Sequence, residues 1–189
     1  VDPTVCAELA DPARTMLGVE QLAWLQSGLA ASGARWNILA QQTLMAQLDQ
    51  KPGPGRTAWT DGWDGYPGER QKLLGFIAER RIANPVVIGG DVHMFYVADL
   101  KADFDSDASP VVASEFVTTS ITSQGPSMAS RERLRADNPH LRLADPRFRG
   151  YTRATVTPQR MTVDLRAMEN VASRDAGCRT LASFTVESG

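Results

Sequence analysis

An α/β fold closed by antiparallel strands is what this sequence predicts, and three stretches predict it. "GERQKLLGFIAERRIAN" carries apolar residues at helical spacing and leads, after a brief turn, into the apolar run Val86-Val87-Ile88. A helix followed at once by a buried strand is the building unit of an α/β layer. That run is apolar on both alternating faces, as a central strand must be. Further on, "GYTRATVTPQRMTVDLRAME" alternates on either side of Thr157-Pro158-Gln159-Arg160, the pattern of a β-hairpin.

The elements follow in order. Val1 to Arg14 is irregular and rich in Pro and Asp. "LGVEQLAWLQSGLAAS" sets Leu22, Leu25 and Leu29 at helical spacing, with Gly33 as a stop. "WNILAQQTLM" opens as a short buried strand and breaks at Gln41-Gln42. From Asp49 to Pro67, "DQKPGPGRTAWTDGWDGYP" reads as a long loop, and long loops in compact domains are disproportionately functional. The second helix turns Leu73, Leu74, Ile77 and Ala78 inward. Strands are expected at Met94–Leu100 and Val111–Thr118, beyond Val86–Ile88. The polar segment Ser123 to Phe148 holds a short helix around Ser130–Ala136. The hairpin and "TLASFTVESG", a last strand, complete the chain. No internal repeat is present, and the plan divides into residues 1–145, an α/β portion, and 146–189, antiparallel strands.

Bulk properties remove several function classes. The chain has 189 residues, enough for one domain or part of a larger one, and its 42% apolar share supports a core. A net charge of −2 argues against a nucleic-acid binder working by bulk electrostatics. No stretch approaches the roughly 20 apolar residues of a membrane span. The chain opens Val1-Asp2-Pro3, without a basic leader, which suits a processed or truncated polypeptide. Its two cysteines, Cys6 and Cys178, allow either one disulfide between the ends or two free buried thiols.

Chemistry concentrates in two places. Gly89-Gly90-Asp91-Val92-His93 puts a carboxylate and an imidazole at the end of a buried strand, where open α/β sheets build their sites. The glycines permit a sharp turn and close approach by a ligand. An oxygen donor beside a nitrogen donor suits Zn, Fe or Mn. The plainer account makes Asp91 a turn cap and His93 a half-buried residue bonded to a carbonyl. In "DGWDGYPGER", Asp61 and Asp64 flank Trp63, and Tyr66 follows; these could wall a site, or Trp63 could anchor a loop of ordinary turn dipeptides.

Gln41 and Gln42 end a strand and need partners, whether a metal, a phosphate oxygen or a helix end. Glu115, inside a strand, is expected to pair with an Arg or with backbone donors. His140 reads as part of a surface loop. There are two histidines in all and no Gly-x-Ser-x-Gly elbow, so a serine triad finds little support.

Taken in order, "RTMLGVEQLAWLQSGLAASGARWNILAQQTLM", "DGWDGYPGERQKLL", "VVIGGDVHMFYVADL", "SEFVTTSITSQGP", "NPHLRLADPRFRGYTRATVTPQRMTVDLR" and "LASFTVESG" resemble the PhoD family of alkaline phosphatases and phosphodiesterases. The resemblance covers nearly the whole chain. It implies the C-terminal part of a four-layer α-β-β-α metallophosphoesterase sandwich ending in an antiparallel β region. It further implies an exported enzyme, periplasmic or extracellular, that hydrolyses phosphate mono- or diesters at a centre of iron and calcium. Asp91 and His93 match the late metal-binding block. Gln41 stands where metallophosphoesterases commonly have a metal-binding Asn, one methylene shorter. Trp63, Asp64 and Tyr66 match a loop that shapes or supports the pocket. The family's early blocks, with Asp, Cys and Tyr ligands, are expected ahead of residue 1, so an N-terminal fragment of the same polypeptide is the expected partner.

In that setting His93 either binds a metal or donates to the leaving oxygen. Two alternatives accompany the phosphatase reading: a phospholipase D-like phosphodiesterase, and an inert binding or structural module that lacks the first metal block.

Overall fold

The computed structural model describes residues 1–51, 53–127 and 134–189. Its helices are α1 (Val19–Ala31), α2 (Pro67–Glu79) and α3 (Leu134–Asp137). Five strands form a mixed sheet: β1 (Asn37–Ala40), β2 (Pro85–Gly89), β3 (Phe95–Lys101), β4 (Val111–Val117) and β5 (Leu141–Asp145). Their order is β1-β2-β4-β3-β5, with β1, β2 and β4 parallel and β3 antiparallel to both neighbours. A second, antiparallel sheet joins β6 (Gly150–Val156), β7 (Arg160–Met168) and β8 (Cys178–Glu187). The α/β reading with antiparallel C-terminal strands therefore holds.

Sequence explains how α2 docks. Pro67 sits in its first turn, where a missing N–H costs nothing. Leu73, Leu74 and Ile77 are sealed from solvent while Ala78 is half-buried. Each such aliphatic side chain contributes about 1.5–3 kcal/mol when taken out of water. Buried Glu69 accepts from the backbone N–H groups of Met16 and Leu17, tying the chain before α1 to α2.

Two cores place the layers. One fills the space between the helices and the mixed sheet, around Met45, Trp63, Leu73, Leu74, Tyr96 and Leu100. The other lies between the two sheets, where Val86, Phe95, Val97 and Phe116 meet Met161, Val163 and Leu165. Helix, mixed sheet and antiparallel sheet thus stack in that order. The indole N–H of Trp36 donates to Thr157 O at 2.7 Å and pins the hairpin tip beside the start of β1.

Several expectations need correction. The strand at "WNILAQ" is the edge of the sheet and not a buried strand, and Ile38 is 45% exposed. Ile88, expected to be covered on a central strand, is 38% exposed. The antiparallel sheet covers Val86 on that face but stops short of Ile38, Ala40 and Ile88. In α1 Leu29 is buried, Leu22 and Leu25 only partly so. Strand β5 arises in a segment read as polar, because Leu141 packs into the core and Ala98 pairs with it. Of the short helix expected around Ser130–Ala136, the part before Leu134 lies outside the described residues. Cys6 and Cys178 are free thiols, and Cys178 is exposed.

Candidate functional site

The C-terminal ends of β1, β2 and β4 converge, and backbone hydrogen bonds run on past them. Gln41 N donates to Ile88 O, Gly90 N to Gln42 O and Thr118 N to Gly89 O, at 2.9–3.0 Å. This is where parallel sheets present their sites. The loop from β2 to β3 turns sharply there, and its left-handed residues are Asp91 (φ 67) and His93 (φ 55). The glycines before them do not adopt that conformation. The sharp turn therefore falls on the two candidate ligands themselves.

Gly89 is needed for a different reason. A Cβ on it would stand 2.2 Å from Thr43 O and 2.8 Å from Gln41 Nε2, so it makes room for the β1 exit loop. A Cβ on Gly90 would meet nothing nearer than 3.7 Å. Gly89→Ala is accordingly expected to cost about 1–3 kcal/mol in a urea titration, as overpacking against backbone does. Gly90→Ala should leave the midpoint nearly unchanged, and equal midpoints for the two variants would refute this account.

Asp91, His93, Trp63 and Asp64 line one cavity of about 450 Å³, together with Trp59 and Tyr96. Asp91 is exposed and His93 half-buried. His93 Nδ1 lies 3.1 Å from Gln124 O, a carbonyl that can only accept. Nδ1 therefore carries the hydrogen, and in the neutral ring Nε2 keeps its lone pair.

The residues expected to support the pocket hold one another. Asp64 accepts from Arg70 Nη1 at 2.6 Å and from Leu48 N at 3.0 Å. Arg70, itself buried, also donates to Met45 O and Gln47 Oε1. Trp63, 2% exposed, donates its indole N–H to Gln41 Oε1 at 3.0 Å. Gln41 Oε1 also accepts from Thr43 N, and its amide nitrogen donates to Thr43 O. Both lone pairs of that oxygen are thereby engaged, and Gln41 is not among the residues lining the cavity. Tyr66 also stands apart from it, with the Arg14 guanidinium 4.7 Å over its ring.

Glu115 does what a buried strand carboxylate was expected to do. It is wholly buried and accepts from Met45 N and Ala46 N at 2.7 and 2.8 Å. Burial pushes its pKa up to about 7, against the lowering effect of those two N–H groups and of Arg70. His140, read as surface, is half-buried against Phe104 and donates Nε2–H to Gln47 O at 2.7 Å. Burial holds its pKa below the usual value.

Sequence reasoning missed Trp59, Gln124 and Arg149 as neighbours of the site. Trp59 could have been suspected from its place in the long loop, but nothing marks a lone Gln or one Arg of an Arg-rich run.

Among the described residues no three His, Cys, Asp or Glu side chains cluster closely enough to hold a metal. Asp91 and His93 nonetheless fit a share in one: a carboxylate and an imidazole with a free Nε2 face a common cavity. Beside them the Thr118 hydroxyl is buried without a partner, its methyl 3.9 Å from the position of a Gly90 Cβ.

Known proteins resemble this chain in sequence and fold. The family model for PhoD-like phosphatase covers residues 2–165. Alkaline phosphatase D of Bacillus subtilis (strain 168) is 38% identical over 183 residues, which is 95% of this chain and 31% of that protein. A solved structure described as "Structure of PhoD" superposes with a TM-score of 0.91 at 37% identity, over 99% of this chain and 36% of that one. The chain thus spans about a third of the length of these relatives. The family match extends over most of the sequence and takes in every residue placed at the cavity, so this chain belongs to the PhoD-like phosphatase family.

Proposed function

We propose that this chain supplies the late part of the active site of an exported, metal-dependent hydrolase of phosphate mono- or diesters. The observation that carries the reading is the pairing of Asp91 and His93 on one loop at the cavity, inside a chain of this family. Asp91 and His93 would hold the metals, by resemblance iron and calcium, with zinc or manganese as the alternatives. Such cations supply charge neutralisation at the phosphoryl oxygens and a nucleophile available near neutral pH. His93 offers Nε2 for ligation, or for a proton at the leaving oxygen. Trp63 and Trp59 wall the cavity, Asp64 holds Leu48 N at its edge, and Gln41 braces Trp63.

The remaining donors belong to an N-terminal portion of the same polypeptide. The free edge of β1, with Ile38 and Ile88 uncovered, supports this, as does the share of the relatives that the chain spans. No helix among the described residues is long and apolar enough to cross a membrane.

The inert-module reading is favoured by one observation, the absence of a three-donor cluster among the described residues. The test is turnover by the complete polypeptide of a nitrophenyl phosphate monoester, its diester and phosphatidylcholine, with elemental analysis of the same sample. Mono- or diester hydrolysis with bound metal is expected. Preference for phosphatidylcholine would move the assignment to a phospholipase D-like phosphodiesterase, and neither turnover nor metal would leave the inert module.

A further inference from the structure

Building on the assignment of His93 to the site, we propose that Arg149 is a positioning residue for that histidine, through which the antiparallel sheet acts on the site. Arg149 immediately precedes β6. Its Nη1 donates to His93 O at 2.7 Å, to Ser120 Oγ at 3.1 Å and to Thr119 Oγ1 at 3.2 Å. Its Nη2 donates to Pro146 O at 2.7 Å. A guanidinium presents several N–H groups in a rigid fork, so one side chain can hold separate segments in register. Here they are the β2–β3 loop, the exit of β4 and the approach to β6.

His93 needs such a hold. A non-glycine residue in the left-handed region is disfavoured, and its carbonyl is fixed by a charge-assisted hydrogen bond. The ring is fixed from the other side by Gln124 O. That loop also lies on the guanidinium: a Cβ on Gly125 would stand 2.6 Å from His93 O and 2.9 Å from Arg149 Nη2. Arg149 therefore anchors the carbonyl of His93 and packs against the segment that keeps hydrogen on Nδ1. Losing the guanidinium releases both, and Nε2 is no longer held as the free acceptor.

A tie between sheets and nothing more would leave the imidazole unaffected, so its tautomer separates the two roles. The chain has two histidines, and His140, with its hydrogen on Nε2, is a built-in reference of the opposite tautomer. In the complete polypeptide, stripped of metal and labelled with nitrogen-15 histidine, long-range proton–nitrogen spectra, with His93 and His140 assigned by the signals lost in His93→Gln and His140→Gln, should show His93 as the Nδ1–H form. Arg149→Met should convert it to a mixture, His140 staying unchanged, and Arg149→Lys should restore the original form in part. Gly125→Ala, which keeps the guanidinium but sets a Cβ against both it and His93 O, should give the same mixture and decides the matter if Arg149→Met does not fold. In the complete polypeptide, Arg149→Met should lower kcat for a phosphate monoester roughly 10- to 100-fold, the scale of a misplaced group, with KM changed less than about twofold. Retention of the Nδ1–H form in the folded variants overturns the proposal. An inactive wild-type polypeptide would instead sink the hydrolase reading and leave the tautomer result standing.

Discussion

Asp91→Asn, introduced into the complete polypeptide, is expected to cut phosphate-ester turnover about 10³-fold or more, equivalent to about 4 kcal/mol of lost transition-state stabilisation. Bound metal should fall with it. The substitution removes a negative charge and one anionic oxygen while keeping the size of the side chain. Backbone strain does not confuse the result. Asp91 has a φ of 67, a region in which Asn is at least as comfortable as Asp. Circular dichroism and the urea midpoint should therefore match the wild type. Alanine would be the poorer choice, since it adds a left-handed penalty of about 1–2 kcal/mol. Full turnover with full metal in the Asn variant would take Asp91 out of the site.

The second large effect concerns Glu115 and reads out in stability. Its carboxyl dissociates near 7 in the fold against an ordinary 4.5, with Arg70 and Asp64 the charged groups nearby. A raised carboxyl pKa means the folded chain binds the proton more tightly than the unfolded chain does. The contribution is thus fully present below about 4.5 and is lost as pH rises through about 7. A difference of that size corresponds to roughly 3 kcal/mol. Urea titrations should show stability falling between pH 5 and pH 8, and Glu115→Gln should flatten most of that slope. The amide still accepts from one backbone N–H, but its own donors face the other. A uniform cost of about 1–3 kcal/mol across the range is expected. A slope that survives in the Gln variant would assign the titration to another group.

Period and punctuation made much of the fold readable before any coordinates. Leu73, Leu74 and Ile77 mark one face of α2, and the turn at Thr157–Arg160 sits between β6 and β7 as its alternation implied. What failed were inferences that depend on the neighbour. Ile38 and Ile88 look buried because apolarity is all a sequence displays, and coverage is set by where the second sheet ends. Strand β5 was hidden because its five residues carry only Leu141, Leu143 and Ala144 among charged ones, too short for a period to emerge.

Among the residues lining the cavity, Asp91 and His93 stood out by residue type and context, and Trp63 and Asp64 by their loop. Gln41 and Tyr66 could not be placed the same way. Their side chains are claimed by Thr43 and Trp63 in one case and Arg14 in the other, contacts that no spacing announces.

Under the proposed function, the left-handed pair in the β2–β3 loop sets stability and activity against each other. Glycine at 91 or 93 would relax the backbone by on the order of 1 kcal/mol, and on the proposed assignment it would also erase a metal donor. A campaign to raise the melting temperature by consensus or by backbone rules would be drawn first to these two positions. If they hold the proposed metals, they mark where robustness has been surrendered, and a thermostable descendant that stays active should have kept both.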